Sequence, residues 1–230
     1  KTLTAVGLLL SAAVSLEKRG DTKKKTDEAK QACDEALPIF RDLGAAKAEA
    51  YTLHLMACTR ALSGATEGAL RAAKESQALY VKEDLAKQAA FELHHMAVWH
   101  LKDGDVDDAV AAALEALDIF EDDPKATDGE ATVAQTLVQA YLAKNQIKDA
   151  MKLAKYELDR FQESGGGKGE AAAQEMVMLC YFAQNNVERA MRYAQRTADT
   201  LYELGDRKSQ AKVLRTMCML HRAKGDHEQA

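Results

Sequence analysis

Proline is nearly missing from this sequence, 2 among 230 residues, and glycine is sparse at 13. These residues punctuate strands and loops, so a chain poor in both, with 47% hydrophobic residues to bury, is expected to be largely helical around a sizeable core. A surplus of positive charge is missing too. With 31 Lys and Arg against 36 Asp and Glu the net charge is -5, which gives no general attraction to phosphate backbones and argues against nucleic acid as the ligand. Paired cysteine motifs are absent: Cys33, Cys58, Cys180 and Cys218 lie far apart with no CxxC. That pattern suits reduced thiols packed in helices better than a disulfide framework or a zinc site, so an intracellular, reducing compartment is expected, the cytoplasm or an organelle. Long apolar runs are also lacking. The opening "KTLTAVGLLLSAAVSLEKRG" has the basic residue, apolar run and small residues of a secretory signal. Its run from Ala5 to Leu16 is too short to span a bilayer, and it ends in Glu17, Lys18, Arg19 and Gly20 as the later helices end. The stretch lacks an initiator Met, and a buried helix of the same fold, with no membrane insertion, is expected.

Motifs that carry chemistry are scarce as well. "SGGGKGE" at 164–170 has neither the spacing nor the Ser or Thr of a phosphate-binding loop and follows no strand, so it reads as a flexible connector. His94 and His95 stand roughly 100° apart around a helix, too divergent for an adjacent metal pair, and no His-x3-His or acidic partner completes a site in the sequence. No Ser-His-Asp, Cys-His or paired-carboxylate set can be assembled. No enzymatic activity, cofactor or metal is expected. The acidic stretch from Asp103 to Glu130, with Lys125 as its lone cation, reads as a solvated outer face or else as a contact for a basic partner.

What is present is repetition. Ala29, Ala69, Ala109, Ala150, Ala190 and Ala230 follow one another at intervals of 40, 40, 41, 40 and 40 residues. Eleven residues after each of the first five comes an apolar position, Phe40, Tyr80, Phe120, Phe161 and Leu201. Five residues before each alanine from the second onward stands Gly64, Gly104, Asn145, Asn185 or Gly225, where a helix must end and the chain turn through a left-handed conformation. Each period is therefore two helices joined by a tight turn. The alanine marks a close helix crossing, since two helices approach only where a side chain is small. Met56, Met96, Leu137, Val177 and Met217, with the residues three before and one after each, form the core face of the first helices. The odd residue of the 41-residue interval falls in the polar loop "EDDPKATDG" around Pro124, and the first turn, "GDTKKKTDEA", is longer by four residues, again as loop.

With its Gly or Asn turns, the alanine after each, and junctions such as "GDVDDAV", the chain resembles the tetratricopeptide repeat family in its forty-residue variety, over essentially all 230 residues. It departs from that pattern at Arg60, His100 and His221, where the family's late tyrosine is kept only at Tyr141 and Tyr181, and at Val138 and Met178 in place of a small residue. The resemblance implies an all-α fold, a right-handed α-solenoid of about five and a half helix-turn-helix units at roughly 1–44, 45–84, 85–125, 126–165, 166–205 and 206–230, the last incomplete. It implies a protein-interaction module, a scaffold or adaptor holding a peptide or helix of a partner on rows of the first helices. Those rows are Tyr51, Phe91 and Lys212; His54, His94, Gln135, Glu175 and Arg215; Cys58, Val98, Gln139, Leu179 and Met219; and Leu101, Leu142, Phe182 and Arg222. Family members that grip an acidic C-terminal tail carry Lys, Asn and Arg on the early rows, where this chain has Tyr51, His54 and Cys58, so a chaperone-tail receptor is disfavoured. The alternative is a structural subunit of a larger assembly, held through its convex face and ends. Because Val213, Leu214, Met217 and Leu220 lack their own second helix, further repeats or another chain are expected beyond Ala230.

Overall fold

The computed structural model describes residues 2–17, 21–121 and 127–224, and their regular structure is entirely α-helical. The helices are α1 Thr2–Glu17, α2 Thr22–Asp42, α3 Ala46–Leu62, α4 Thr66–Lys82, α5 Ala86–Asp103, α6 Val106–Glu121, α7 Thr127–Ala143, α8 Ile147–Glu163, α9 Lys168–Ala183, α10 Val187–Glu203 and α11 Arg207–Lys224. The fold is an all-α repeat solenoid, and it divides into two compact units, 1–119 and 120–230. In the first unit α1 packs on α2, α2 on α3, α3 on α4 and α4 on α5. In the second α7 packs on α8 and α9, α8 on α9, α9 on α10 and α10 on α11.

The repeat columns become structure through two devices. Ala29, Ala69, Ala109, Ala150 and Ala190 are all fully buried, as close helix crossings require, and Phe40, Tyr80, Phe120, Phe161 and Leu201 are buried beside them. Gly64, Gly104, Asn145 and Asn185 all have positive φ, and so do Gly44, Asp84, Gly165 and Gly205 at the junctions leading out of α2, α4, α8 and α10. At these junctions the amide after the left-handed residue returns to a carbonyl of the last helical turn, as in Ala65 N to Arg60 O at 2.9 Å and Leu85 N to Tyr80 O at 2.9 Å. The backbone thus caps itself, and α3, α4, α5 and α8 begin without a side-chain cap.

Several expectations are corrected. The four extra residues of the first turn are not loop: Asp21 caps α2 by accepting from the Lys23 amide at 2.9 Å, and the lysines after it lengthen the helix. The N-terminal helix is buried on one side only, through Ala5, Leu9, Ala12 and Ser15, while Leu3, Val6, Leu10 and Val14 stay exposed. Asp103, Asp105, Asp107, Asp108, Glu115 and Asp118 of the acidic stretch are solvated, but Glu130 is buried against Arg160; Asp122, Asp123 and Lys125 lie outside the described residues. Of the four free thiols, Cys33 and Cys180 are buried and Cys58 half-buried, but Cys218 is exposed on α11, which among the described residues packs on α10. On the same helix Val213 and Leu220 are buried, Met217 is half-buried and Leu214 is open to solvent. Gly225 and Ala230 lie outside the described residues. The glycines of "SGGGKGE" do more than connect. Gly169 sits in α9 against the ring of Phe161, which a Cβ there would meet at 2.4 Å.

Candidate functional site

The expected rows stay at the surface of their helices in both units. In the first unit Tyr51, Phe91 and Val98 are exposed, and His54, Cys58, His94 and Leu101 are half-buried. In the second Gln139, Phe182, Lys212, Arg215, Met219 and Arg222 are exposed, and Gln135, Leu142, Glu175 and Leu179 are half-buried. None of these side chains is spent in the core, which is taken up by the alternate positions Leu53, Met56, Leu93 and Met96 in the first unit and Ala134, Leu137, Gln174 and Val177 in the second. On the face of the second unit, burial raises the Glu175 carboxyl above its ordinary range, against the opposing influence of Gln135 and Lys212.

The face of the first unit holds a cluster of imidazoles. Tyr51 stacks on His54 with centroids 6.0 Å apart, His54 meets the edge of His95 at 5.1 Å, and His95 lies 5.9 Å from Trp99. Beneath them is Glu92, 2% exposed, whose Oε1 stands 2.8 Å from His54 Nδ1. The other ring nitrogen of His54 lies 3.6 Å from Cys58 Sγ. Burial acts to lower the His54 pKa, but Cys58 and Glu92 overcome it and hold the ring up at about 10. Burial and the neighbouring His95 push His94 down to about 4, and burial with the nearby His54 lowers His95. The surface shared by α3 and α5 thus presents one imidazole, His54, held as a cation beside His95 and His94, whose burial favours the neutral form.

This overturns the expectation that no acidic partner completes a site near His94 and His95. The His94 and His95 rings lie 5.8 Å apart and His94 stays outside the set, but α3 brings His54 to His95, and Glu92 closes it: one ligating atom from each of His54, Glu92 and His95 lies within 4.8 Å of the others. Glu92 could have been found from the repeat. It occupies the column Thr52, Glu92, Val133, Ala173, every member of which is buried. A carboxylate in such a column needs a partner.

Helix pairs repeated at a forty-residue period, closed by left-handed turns and crossed on alanines, define a tetratricopeptide-type repeat fold. Solved structures share it. The TPR-like repeats of a Podosopora anserina kinesin light chain superpose with a TM-score of 0.69 at 14% identity, over 86% of this chain and 95% of that one. BtubC from P. vanneervenii gives 0.70 at 17% identity, over 92% and 87%. RapI in its apo form gives 0.74 at 11% identity, over 98% of this chain and 60% of its own. At such identities the likeness establishes the fold alone. No protein-family model and no curated protein matches the chain. No helix among the described residues is long and apolar enough to cross a membrane.

Proposed function

We propose that this chain is a protein-interaction scaffold or adaptor whose first helices, α3 and α5 in one unit and α7, α9 and α11 in the other, hold a peptide or helix of a partner protein. The observation that carries the reading is the exposure of large apolar side chains on the expected rows: Tyr51, Phe91 and Val98 in the first unit, Phe182 and Met219 in the second. Aromatic side chains left half in water on a regular face are the usual anchors of helix and peptide recognition. The polar neighbours Gln135, Gln139, Lys212 and Arg215 supply the rim.

The test is affinity capture with the parent chain, with Phe91→Ala and Phe182→Ala, and with Leu114→Ala and Tyr156→Ala, which alter exposed apolar residues on the second helices α6 and α8. The groove reading requires partners to be lost with the first pair and kept with the second. The reverse pattern transfers the work to the opposite face and supports a structural subunit of a larger assembly.

A further inference from the structure

We propose that His54, Glu92 and His95 form a binding site for a divalent transition-metal ion of the zinc type, a site independent of the partner-binding reading. Glu92 and His95 are three residues apart on α5 and share one face, and His54 reaches them from α3. Their ligating atoms lie within 4.8 Å of one another, and the His54 Nδ1 to Glu92 Oε1 distance is 2.8 Å. Two ligands at tetrahedral positions about 2.0–2.2 Å from zinc stand roughly 3.3 Å apart, so the set already brackets the required spacing and closes on one ion with side-chain adjustment alone.

The hydrogen bonds around the set leave the right atoms vacant. His95 Nδ1 lies 2.6 Å from the Phe91 carbonyl oxygen. A carbonyl only accepts, so Nδ1 carries the proton and Nε2 keeps its lone pair. His54 Nε2 faces Cys58 Sγ, which turns Nδ1 toward the carboxylate. Histidine ligands of metals are oriented in this way, the second nitrogen held by a carbonyl or another acceptor. His54 Nδ1 faces Glu92 Oε1 at 2.8 Å as an ion contact, and the second carboxylate oxygen, Oε2, is buried without a hydrogen-bond partner. A carboxylate 98% buried needs a cation: protonated His54 supplies one, and a metal ion held by His54 Nδ1 and Glu92 would take that proton's place. A proton on His54 is the competing occupant. Two imidazoles and one carboxylate suit zinc and its neighbours rather than calcium or magnesium, which prefer all-oxygen sets. Three protein ligands leave a fourth position for water or for a side chain of a docked partner.

The experiment uses the whole chain, stripped with a chelator and titrated calorimetrically with zinc chloride, with cobalt(II) absorption as a second readout. One ion per chain is expected, and cobalt(II) should show visible d–d bands without a thiolate charge-transfer band. Glu92→Gln and His95→Gln should each weaken zinc binding by about 100-fold or more, exceeding the ~10–100-fold cost of losing a merely supporting partner. His94→Gln and Cys218→Ser should bind within a few-fold of the parent. Circular dichroism checks that each variant is folded; if Glu92→Gln is not, His95→Gln and His54→Asn, which change half-buried rings, decide the matter. Absence of stoichiometric zinc uptake by the parent overturns the proposal. Uptake that survives loss of His95, or that vanishes with Cys58 or Cys218 and carries a thiolate band, overturns it equally, since the ion is then held elsewhere.

Discussion

Single residues decide whether two helices can approach, and glycine shows this in both directions. A Cβ at Gly169 would meet the buried ring of Phe161 at 2.4 Å, and one at Gly129 the ring of Phe120 at 2.7 Å. Both rings are buried, so Gly169→Ala should destabilise the chain by about 1–3 kcal/mol, read as a lower melting temperature. Gly7, exposed in α1 with nothing within 4 Å of its would-be Cβ, should behave oppositely: Gly7→Ala restores helix propensity and gains up to about 1 kcal/mol. Asp84 occupies the junction position held by glycine at Gly44, Gly165 and Gly205, at φ +56°. Relief of that left-handed strain predicts that Asp84→Gly stabilises by about 1 kcal/mol or less, which a denaturant midpoint would detect. No gain would mean that Asp84 sits there without strain.

At the level of elements, packing rests on small side chains and on buried charge sets. Ala150 is fully buried at the start of α8, so Ala150→Leu forces a branched chain into a helix crossing and should cost roughly 1–3 kcal/mol with a less cooperative transition. A variant that melts like the parent would show that the column does not mark a crossing. Arg160 on α8 lies against two buried carboxylates, Glu130 of α7 and Glu157 one turn earlier on α8, the latter at 2.9 Å. Arg160→Met removes a cation that both carboxylates face, and breaking a buried set from one side costs about 3–5 kcal/mol. Chemical denaturation should therefore place this variant far below Ala150→Leu. The position of Glu157 was legible in advance, because its column, Ala36, Ser76, Ala116, Glu157 and Thr197, is buried throughout. Its partner Arg160, three residues on in α8, was legible too, but the second carboxylate was not, since Glu130 reaches Arg160 from another helix.

For the molecule as a whole, the proposed function turns on anchors that the fold does not need. Phe91 and Phe182 are 41% and 48% exposed, so changing them to Ala should leave circular dichroism and melting near the parent. Binding of a captured partner, followed by calorimetry, should weaken by about 2 kcal/mol or more, as loss of a central aromatic anchor does. Unfolding of either variant would assign that ring to the core, and undiminished binding would move the working surface off these rows.

The sequence by itself determined the repeat, its period and its turns. Those properties are local: an alanine every forty residues and a Gly or Asn five places before it state where helices cross and where they end, and Gly64, Gly104, Asn145 and Asn185 all have positive φ. It also separated row from core, because helical spacing places Tyr51, His54 and Cys58 on one face whatever the neighbours are. Only the tertiary structure decided that "GDTKKKTDEA" is mostly helix, since an Asp21 cap outweighs the look of a polar loop, and that α1 has just one buried side. Only the tertiary structure brought His54 to Glu92 and His95, and Glu130 to Arg160. These pairs join side chains of different helices at distances of a few ångströms, and a periodic pattern gives the face a residue lies on without giving which charged group stands opposite.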